Sequence, residues 1–207
     1  MLIEDRMMYT YGYINSAKNL QALLEKLDSW LASKKMESGK SFAEWLCENC
    51  QRYEIEPLYM LALIQKEQSV IERTVVPGQQ RLDWVVGYGC PESGERYQQF
   101  KGFERQIPAA LKQFTRYETW PVISKWRTTP QRLFDPSKKL PIKRGPQFGK
   151  DDDGNVTYQP ESKSEAMSYL YNPRYEGVSN LSKIWHKYFS LAKDCGLIVE
   201  TKSIVGL

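Results

Sequence analysis

Histidine is almost absent from this chain of 207 residues, since His186 is the only one. A single histidine argues against nucleophilic triads built on histidine. It also argues against metal sites that need several imidazoles. His186 lies in KIWHKYF, a helical pattern, where a packed or surface side chain is the ordinary interpretation. The sequence therefore argues against histidine-based catalysis.

Cysteine is also scarce, with four residues in the whole chain. Cys47 and Cys50 have CxxC spacing, but no second CxxC or Cys/His pair follows to complete a zinc site. Cys50 also falls on an apolar helical stripe where a small buried thiol is common; the stripe is formed by Phe42, Trp45, Leu46 and Tyr53. We therefore predict no metal and no cofactor.

Long apolar runs are missing as well, and the formal net charge is only +4. No segment is long and apolar enough to cross a bilayer, and MLIEDRMMYTYGYINS has early acids and no apolar signal core. We expect no membrane insertion and no secretory signal, so action on a cell wall would require phage release or another export route. The charge is too small to indicate nucleic-acid binding without a recognised motif, although it suits an anionic polymer.

The residues that are present indicate one mainly helical (α+β) domain with a true core. The chain has 13 Tyr, 7 Phe and 6 Trp, and apolar residues recur at helical spacing over most of its length. The predicted helices cover residues 16–34, 41–53, the segment around 57–71, 103–117, 162–171 and 179–195. One small hairpin is predicted from strands at 146–149 and 156–159, joined by a turn at 152–155. We divide the chain into an N-terminal helical appendage, 1–40, and a domain, 41–207, and expect a monomer.

The segment PLYMLALIQKEQS carries an acid in an otherwise apolar helix. Four residues recur at steps of four, three and four and share one face: Met60, Ile64, Glu67 and Ile71. An unpaired carboxylate facing a core is costly unless it is protonated, and a protonated carboxyl is what general acid catalysis requires. The alternative is a structural ion pair with Lys66, Lys101 or an arginine.

Three separated stretches together resemble a known enzyme family. They are LYMLALIQKEQS, then WVVGYGCPESGERYQQFKGFERQIPAALKQF, then MSYLYNPRYEGVSNLSKIWHKYF. Their order and spacing are similar to those of the lysozyme-like fold shared by goose-type lysozymes and soluble lytic transglycosylases, especially a bacterial and phage branch. The resemblance covers residues 41–190 and implies a helical domain with long loops that form a cleft.

The resemblance implies that Glu67 is the single catalytic acid/base of a peptidoglycan-cleaving glycosidase. Glu67 would protonate the glycosidic oxygen between N-acetylmuramic acid and N-acetylglucosamine. A second carboxylate, Asp83 or Glu92, could steer a hydrolytic water if it faced Glu67 across ~6.5–9.5 Å. Otherwise the acetamido group of the substrate could assist and give a 1,6-anhydro product. The ordinary alternatives are a helix or turn cap for Asp83 and a solvated charge for Glu92.

The same resemblance suggests residues that contact the glycan. Aromatic faces stack on sugars and a Tyr hydroxyl can bond their polar groups, although core packing is the rival interpretation. Glycines would let the backbone approach the substrate closely, and a Gln could bond an acetamido group. The candidates are Trp84, Tyr88, Gly87, Gly89, Gln106, Tyr171 and Asn172.

Two other functions remain possible from the sequence. A catalytically silent lysozyme-like scaffold could bind peptidoglycan or serve as a virion structural component. A nucleic-acid binder would have to use the basic segment 125–150, for which no recognised motif is present.

Overall fold

A computed structural model of the chain describes residues 5–8, 13–91, 94–119, 140–141, 157–158, 163–172 and 175–198. These residues confirm the mainly helical class. The α-helices are α1 (Asp5–Met8), α2 (Ala17–Lys26), α3 (Phe42–Arg52), α4 (Pro57–Gln68), α5 (Gln79–Asp83), α6 (Phe103–Thr119), α7 (Lys163–Tyr171) and α8 (Tyr175–Asp194). Two 3₁₀ turns cover Trp30–Ala32 and Gln98–Phe100.

The predicted hairpin is not seen. The only strand pairing among the described residues is a two-residue antiparallel contact in which β1 (Leu140–Pro141) pairs with β2 (Thr157–Tyr158). Residues 146–149, the predicted first strand, lie outside the described residues. The prediction was wrong in its pairing because a turn sequence alone does not select the partner strand.

The predicted first helix, 16–34, is shorter than its leucine periodicity indicated. Helix α2 ends at Lys26, and Asp28 adopts a left-handed φ of 49°. The backbone N–H of Trp30 donates to the Arg73 carbonyl at 2.7 Å, and its indole N–H donates to the Val70 carbonyl at 2.9 Å. These long-range bonds hold the chain in a 3₁₀ turn where local periodicity predicted a continuing helix.

The start of α3 confirms the capping box predicted from sequence. The Ser41 hydroxyl accepts from the Glu44 backbone N–H, and the Glu44 carboxylate accepts from the Ser41 N–H at 2.8 Å. Both contacts satisfy donors that a helix N-terminus leaves free. This cap fixes where α3 begins and directs its apolar face toward α2 and α4.

Helix α4 lies at the centre of the core. Every residue from Pro57 to Ile64 is buried, and α4 packs mainly against α8. Pro57 occupies the first turn as predicted. Ile71, predicted to continue the same helical face, lies beyond the end of α4, although its side chain is fully buried. The helix is therefore three residues shorter than the stripe implied.

The N-terminal segment contributes to the same core. Its apolar side chains belong to one hydrophobic cluster with those of α3 and α4; they include Met7, Met8, Ile14, Leu20, Leu23, Leu24 and Leu31. The buried Glu56 carboxylate accepts from the backbone N–H groups of Tyr13 and Ile14 at 3.3 and 3.1 Å. The division at residue 40 stays a prediction. Among the described helices, none is long and apolar enough to span a membrane.

Candidate active site

Glu67 lies in the last turn of α4, where the buried helix reaches the surface. Its side chain is 20% exposed, whereas the preceding residues of the helix up to Ile64 are buried. The chain then reverses at Ser69, whose φ is 53°. The Gln65 side-chain oxygen accepts from the N–H groups of Ile71 and Glu72 and holds this reversal. Helix and turn together therefore fix the backbone on both sides of Glu67.

The Glu67 carboxylate is ion-paired with the neighbouring Lys66. The Lys66 ammonium lies 2.6 Å from Oε1 of Glu67, and only 8% of the lysine side chain is exposed. This contact is the structural alternative that the sequence left open. It answers in part why an apolar helix tolerates an acid here, because a buried cation offsets the charge.

The second carboxylate oxygen faces the loop that follows α5. A Cβ placed on Gly87 would lie 3.5 Å from Oε2 of Glu67, so the backbone of this residue lies close to the carboxylate. Gly87 also has a φ of 70°, a conformation that side chains disfavour. The loop backbone at Gly87 thus forms a wall beside Glu67.

Tyr171 fixes that wall from α7. Its hydroxyl donates to the Val86 carbonyl at 2.8 Å, directly before Gly87. Its ring stacks on Phe114 with centroids 4.8 Å apart. Burial, and then the negative charge of Glu67, raise the pKa of Tyr171 well above its usual value, so the phenol remains a hydrogen donor. Tyr171 is therefore close to Glu67, but its hydroxyl is engaged by the protein backbone.

Gln106 and Tyr88 form a clamp within the loop. The Gln106 side chain is fully buried; its oxygen accepts from the Tyr88 N–H at 3.1 Å. Its NH₂ group donates to the carbonyls of Tyr88 and Phe100 at 2.7 and 2.9 Å. Both amide hydrogens are used by the backbone, and the contact between Gln106 and an acetamido group stays a prediction. In this structure Gln106 positions the loop.

Tyr88 and Gly89 lie on the loop beside this clamp. The Tyr88 ring meets Phe100 edge-on at 4.7 Å and is partly exposed. Gly89 has a φ of 71°, and a Cβ there would come within 2.8 Å of the Phe100 ring. The close approach that glycine permits at position 89 is therefore to the protein's own aromatic ring.

Asp83 faces a different cavity. Its carboxylate accepts from Gln79 at 2.8 Å and lies 3.3 Å from the Lys101 ammonium. A cavity of about 580 Å³ beside it is lined by Lys34, Lys35, Lys101, Phe103, Glu104 and Arg105 among others, and Glu67 is not one of its lining residues. The Asp83 carboxylate thus joins α5 to the residues before α6. No contact with Glu67 is seen among the described residues.

Trp84 is packed rather than open. Its side chain is 5% exposed, and the Arg96 guanidinium lies 5.3 Å from the ring centroid. The Trp84 carbonyl accepts from the Gln68 side chain at 3.2 Å, which ties the loop to the end of α4. Arg96 therefore covers this ring in the folded protein, and sugar stacking on Trp84 stays a prediction.

Asn172 and Glu92 are the remaining residues that the sequence analysis assigned to the site. Asn172 follows the last residue of α7, and its side chain would be 3.1 Å from a Cβ on Gly177, so the chain after α7 approaches α8 closely there. Asn172 lines a narrow cleft together with Lys66 and Tyr171. Glu92 lies outside the described residues.

Two contacts at the site were not predicted from sequence. Tyr59 in α4 shares a 2.8 Å hydrogen bond with Ser168 in α7, which joins the helix carrying Glu67 to the helix carrying Tyr171. Phe114 in α6 supports the Tyr171 ring. These partners are distant along the chain, so apolar periodicity gave no sign of the pairing.

Comparison of the chain with protein-family models, curated proteins and solved structures found no significant match.

Proposed function

We propose that this protein cleaves the β-1,4 bond between N-acetylmuramic acid and N-acetylglucosamine in peptidoglycan, with Glu67 as general acid and base. The observation that carries the proposal is the position of Glu67. A single acid emerges at the end of a buried helix, one carboxylate oxygen facing a loop backbone that carries no side chain at Gly87. The resemblance of three ordered sequence stretches to lysozyme-like enzymes supports the same assignment. The proposed fold is accordingly lysozyme-like, and the proposed site of action is the cell wall.

The route after protonation depends on a second group. Asp83 is held by Gln79 and Lys101 in the neighbouring cavity, which favours assistance by the acetamido group of the substrate over a water steered by Asp83. If Glu92 does not supply the second carboxylate either, we expect anhydro ends rather than reducing ends. Mass spectrometry of digested peptidoglycan distinguishes the two products because they differ by one water. A mixture dominated by reducing ends would favour hydrolysis instead.

A catalytically silent glycan-binding or virion structural module is the second candidate. The Lys66–Glu67 pair favours it, since an ion pair explains a buried acid without any chemistry. The two candidates differ in whether Glu67 is needed for turnover or only for stability.

The deciding experiment compares Glu67→Gln with wild type in muropeptide release and in binding of chitooligosaccharides. The amide keeps the shape of the side chain but delivers no proton, so turnover should fall ~10²–10⁴-fold while binding persists. Glu72→Gln is the matched control, because it removes another Glu–Lys pair, with Lys187 at 2.5 Å, a few residues beyond the site.

Equal turnover in Glu67→Gln and wild type would reject the catalytic proposal. A wild type that binds glycan and releases no fragments would favour the silent module. Thermal unfolding of all three proteins shows whether a lost activity reflects a lost fold.

A further inference from the structure

Lys66 and Glu67 are consecutive residues, and such neighbours do not normally face each other on a helix. Successive side chains leave an α-helix about 100° apart, so direct contacts form at spacings of three or four residues. A 2.6 Å contact between Lys66 Nζ and Glu67 Oε1 requires both side chains to bend toward one point. The end of α4 at Gln68 gives them the room to do so.

The lysine occupies a niche between helices. Its side chain is 8% exposed and lines a narrow cleft with residues of α4, α7 and α8: Tyr59, Leu63, Ser168, Tyr171, Asn172 and Val178. Within the described residues its ammonium donates to one acceptor, the Glu67 carboxylate. A buried cation that is packed on several sides has little freedom to move, unlike a surface lysine, so it can hold the neighbouring carboxylate in one position.

This arrangement makes the two oxygens of Glu67 unequal. An ammonium can only donate hydrogen bonds, so Oε1 accepts one while the ion pair is intact. Oε1 therefore cannot hold a proton that points toward Lys66. Oε2 faces the bare backbone of Gly87 on the loop wall. The proton that a general acid delivers would therefore have to sit on Oε2.

We propose that Lys66 is a positioning residue that anchors Oε1 of Glu67 and presents Oε2 to the glycosidic oxygen. This role rests on the proposed glycosidase function and adds to it the direction of proton transfer. It also explains why an acid and a base are adjacent at the end of an otherwise apolar helix. Glu67 alone would be free to change rotamer at its partly exposed position.

The test measures kcat and KM for peptidoglycan fragments with wild type, Lys66→Met and Lys66→Arg. Methionine fills the niche without charge, so kcat should fall about 10- to 100-fold through misorientation of the acid, with KM changed less than about twofold. Arginine keeps a cationic donor and should restore most of kcat. Lys40→Met is the matched control, because it removes an exposed 2.6 Å pair with Glu48.

An active wild type with an unchanged kcat in Lys66→Met would overturn the positioning role and leave the proposed function intact. A wild type without activity would overturn the proposed function and this role together. Thermal unfolding separates either result from a general loss of structure. If Lys66→Met does not fold, Lys66→Leu takes its place, since leucine is also neutral and has no hydrogen-bond donor. The same two outcomes for kcat then apply.

Discussion

The four cysteines occupy different environments although two of them share a CxxC spacing. Cys47 and Cys50 lie on the inner face of α3 and are buried, whereas Cys90 and Cys195 are partly exposed. Burial raises the pKa of Cys47 to about 12 and that of Cys50 well above its usual value. Since the thiolate is the reactive form, both thiols should be inert in the folded protein.

Thiol labelling at mildly alkaline pH tests this difference. A disulfide-exchange reagent should modify the partly exposed Cys90 and Cys195, with the Cys90 reaction slowed because burial raises its pKa. Cys47 and Cys50 should react only after unfolding in denaturant. Peptide mass mapping before and after denaturation identifies each site, and rapid modification of Cys47 in the native protein would contradict the packing of α3.

Gly87 is the residue whose lack of a side chain matters most at the site. Gly87→Ala would add a methyl 3.5 Å from Oε2 of Glu67 and would strain a backbone with a φ of 70°. The strain should cost about 1–2 kcal/mol in the free energy of unfolding. If Oε2 is the proton-bearing atom, turnover should fall about tenfold or more, because a methyl there obstructs the substrate.

Gly39→Ala is the control that separates backbone strain from obstruction of the substrate. Gly39 has a similar φ of 80°, and nothing lies within 4 Å of a Cβ placed there. Both variants should lose similar stability, and only Gly87→Ala should lose turnover. Equal turnover in the two variants would show that the space beside Gly87 is not used by the substrate.

At the scale of elements, the segment from Asp83 to Gly102 behaves as a closed loop. The Gly102 N–H donates to the Asp83 carbonyl at 2.9 Å, which brings the ends of the loop together. Gln106 then binds the loop from α6 at the backbone of Tyr88 and Phe100. The described part of this Gly- and Pro-containing stretch has little regular structure, and the buried Gln106 side chain is a main contact that holds it.

Gln106→Leu should release this loop. The variant leaves partly buried backbone groups of Tyr88 and Phe100 without their Gln106 partner, which should cost at most about 1–3 kcal/mol per unsatisfied group. Hydrogen exchange should accelerate at the Tyr88 amide. Gln98→Leu is a suitable control, since Gln98 is exposed in the same loop and donates only to the Arg96 carbonyl. Unchanged exchange at Tyr88 in Gln106→Leu would refute the clamp.

At the scale of the whole molecule, the N-terminal segment and the helix bearing Glu67 share one core. Leu20, Leu23 and Leu24 of α2 pack in the same cluster as α3, and Trp30 donates to the Val70 carbonyl beyond α4. The turn after Glu67 is therefore supported by residues that the sequence assigned to an appendage.

Truncation tests whether residues 41–207 fold alone. We expect the truncated chain to lose cooperative thermal unfolding, because removing α2 exposes the buried face of α3 and takes away the partners of Glu56 and Val70. Circular dichroism at near- and far-ultraviolet wavelengths provides the measurement. A sharp transition close to that of the full chain would instead confirm an independent domain beginning at residue 41.

The sequence determined the helical class, the start of α3 and the burial of α4, because these depend on local periodicity and capping. It also identified Glu67 as the unusual acid and Lys66 as one possible partner. Their 2.6 Å contact was decided by the niche between α4, α7 and α8.

The tertiary structure also decided which predicted residues meet. Asp83 forms an ion pair with Lys101, and the Arg96 guanidinium packs on the Trp84 ring. Gln106 donates hydrogen bonds to the loop backbone. The early end of α2 and the pairing of β1 with β2 likewise follow from long-range contacts. Side-chain type and spacing fix which groups are available, but a polar group buried on folding takes whichever partner the packed chain brings within hydrogen-bonding distance.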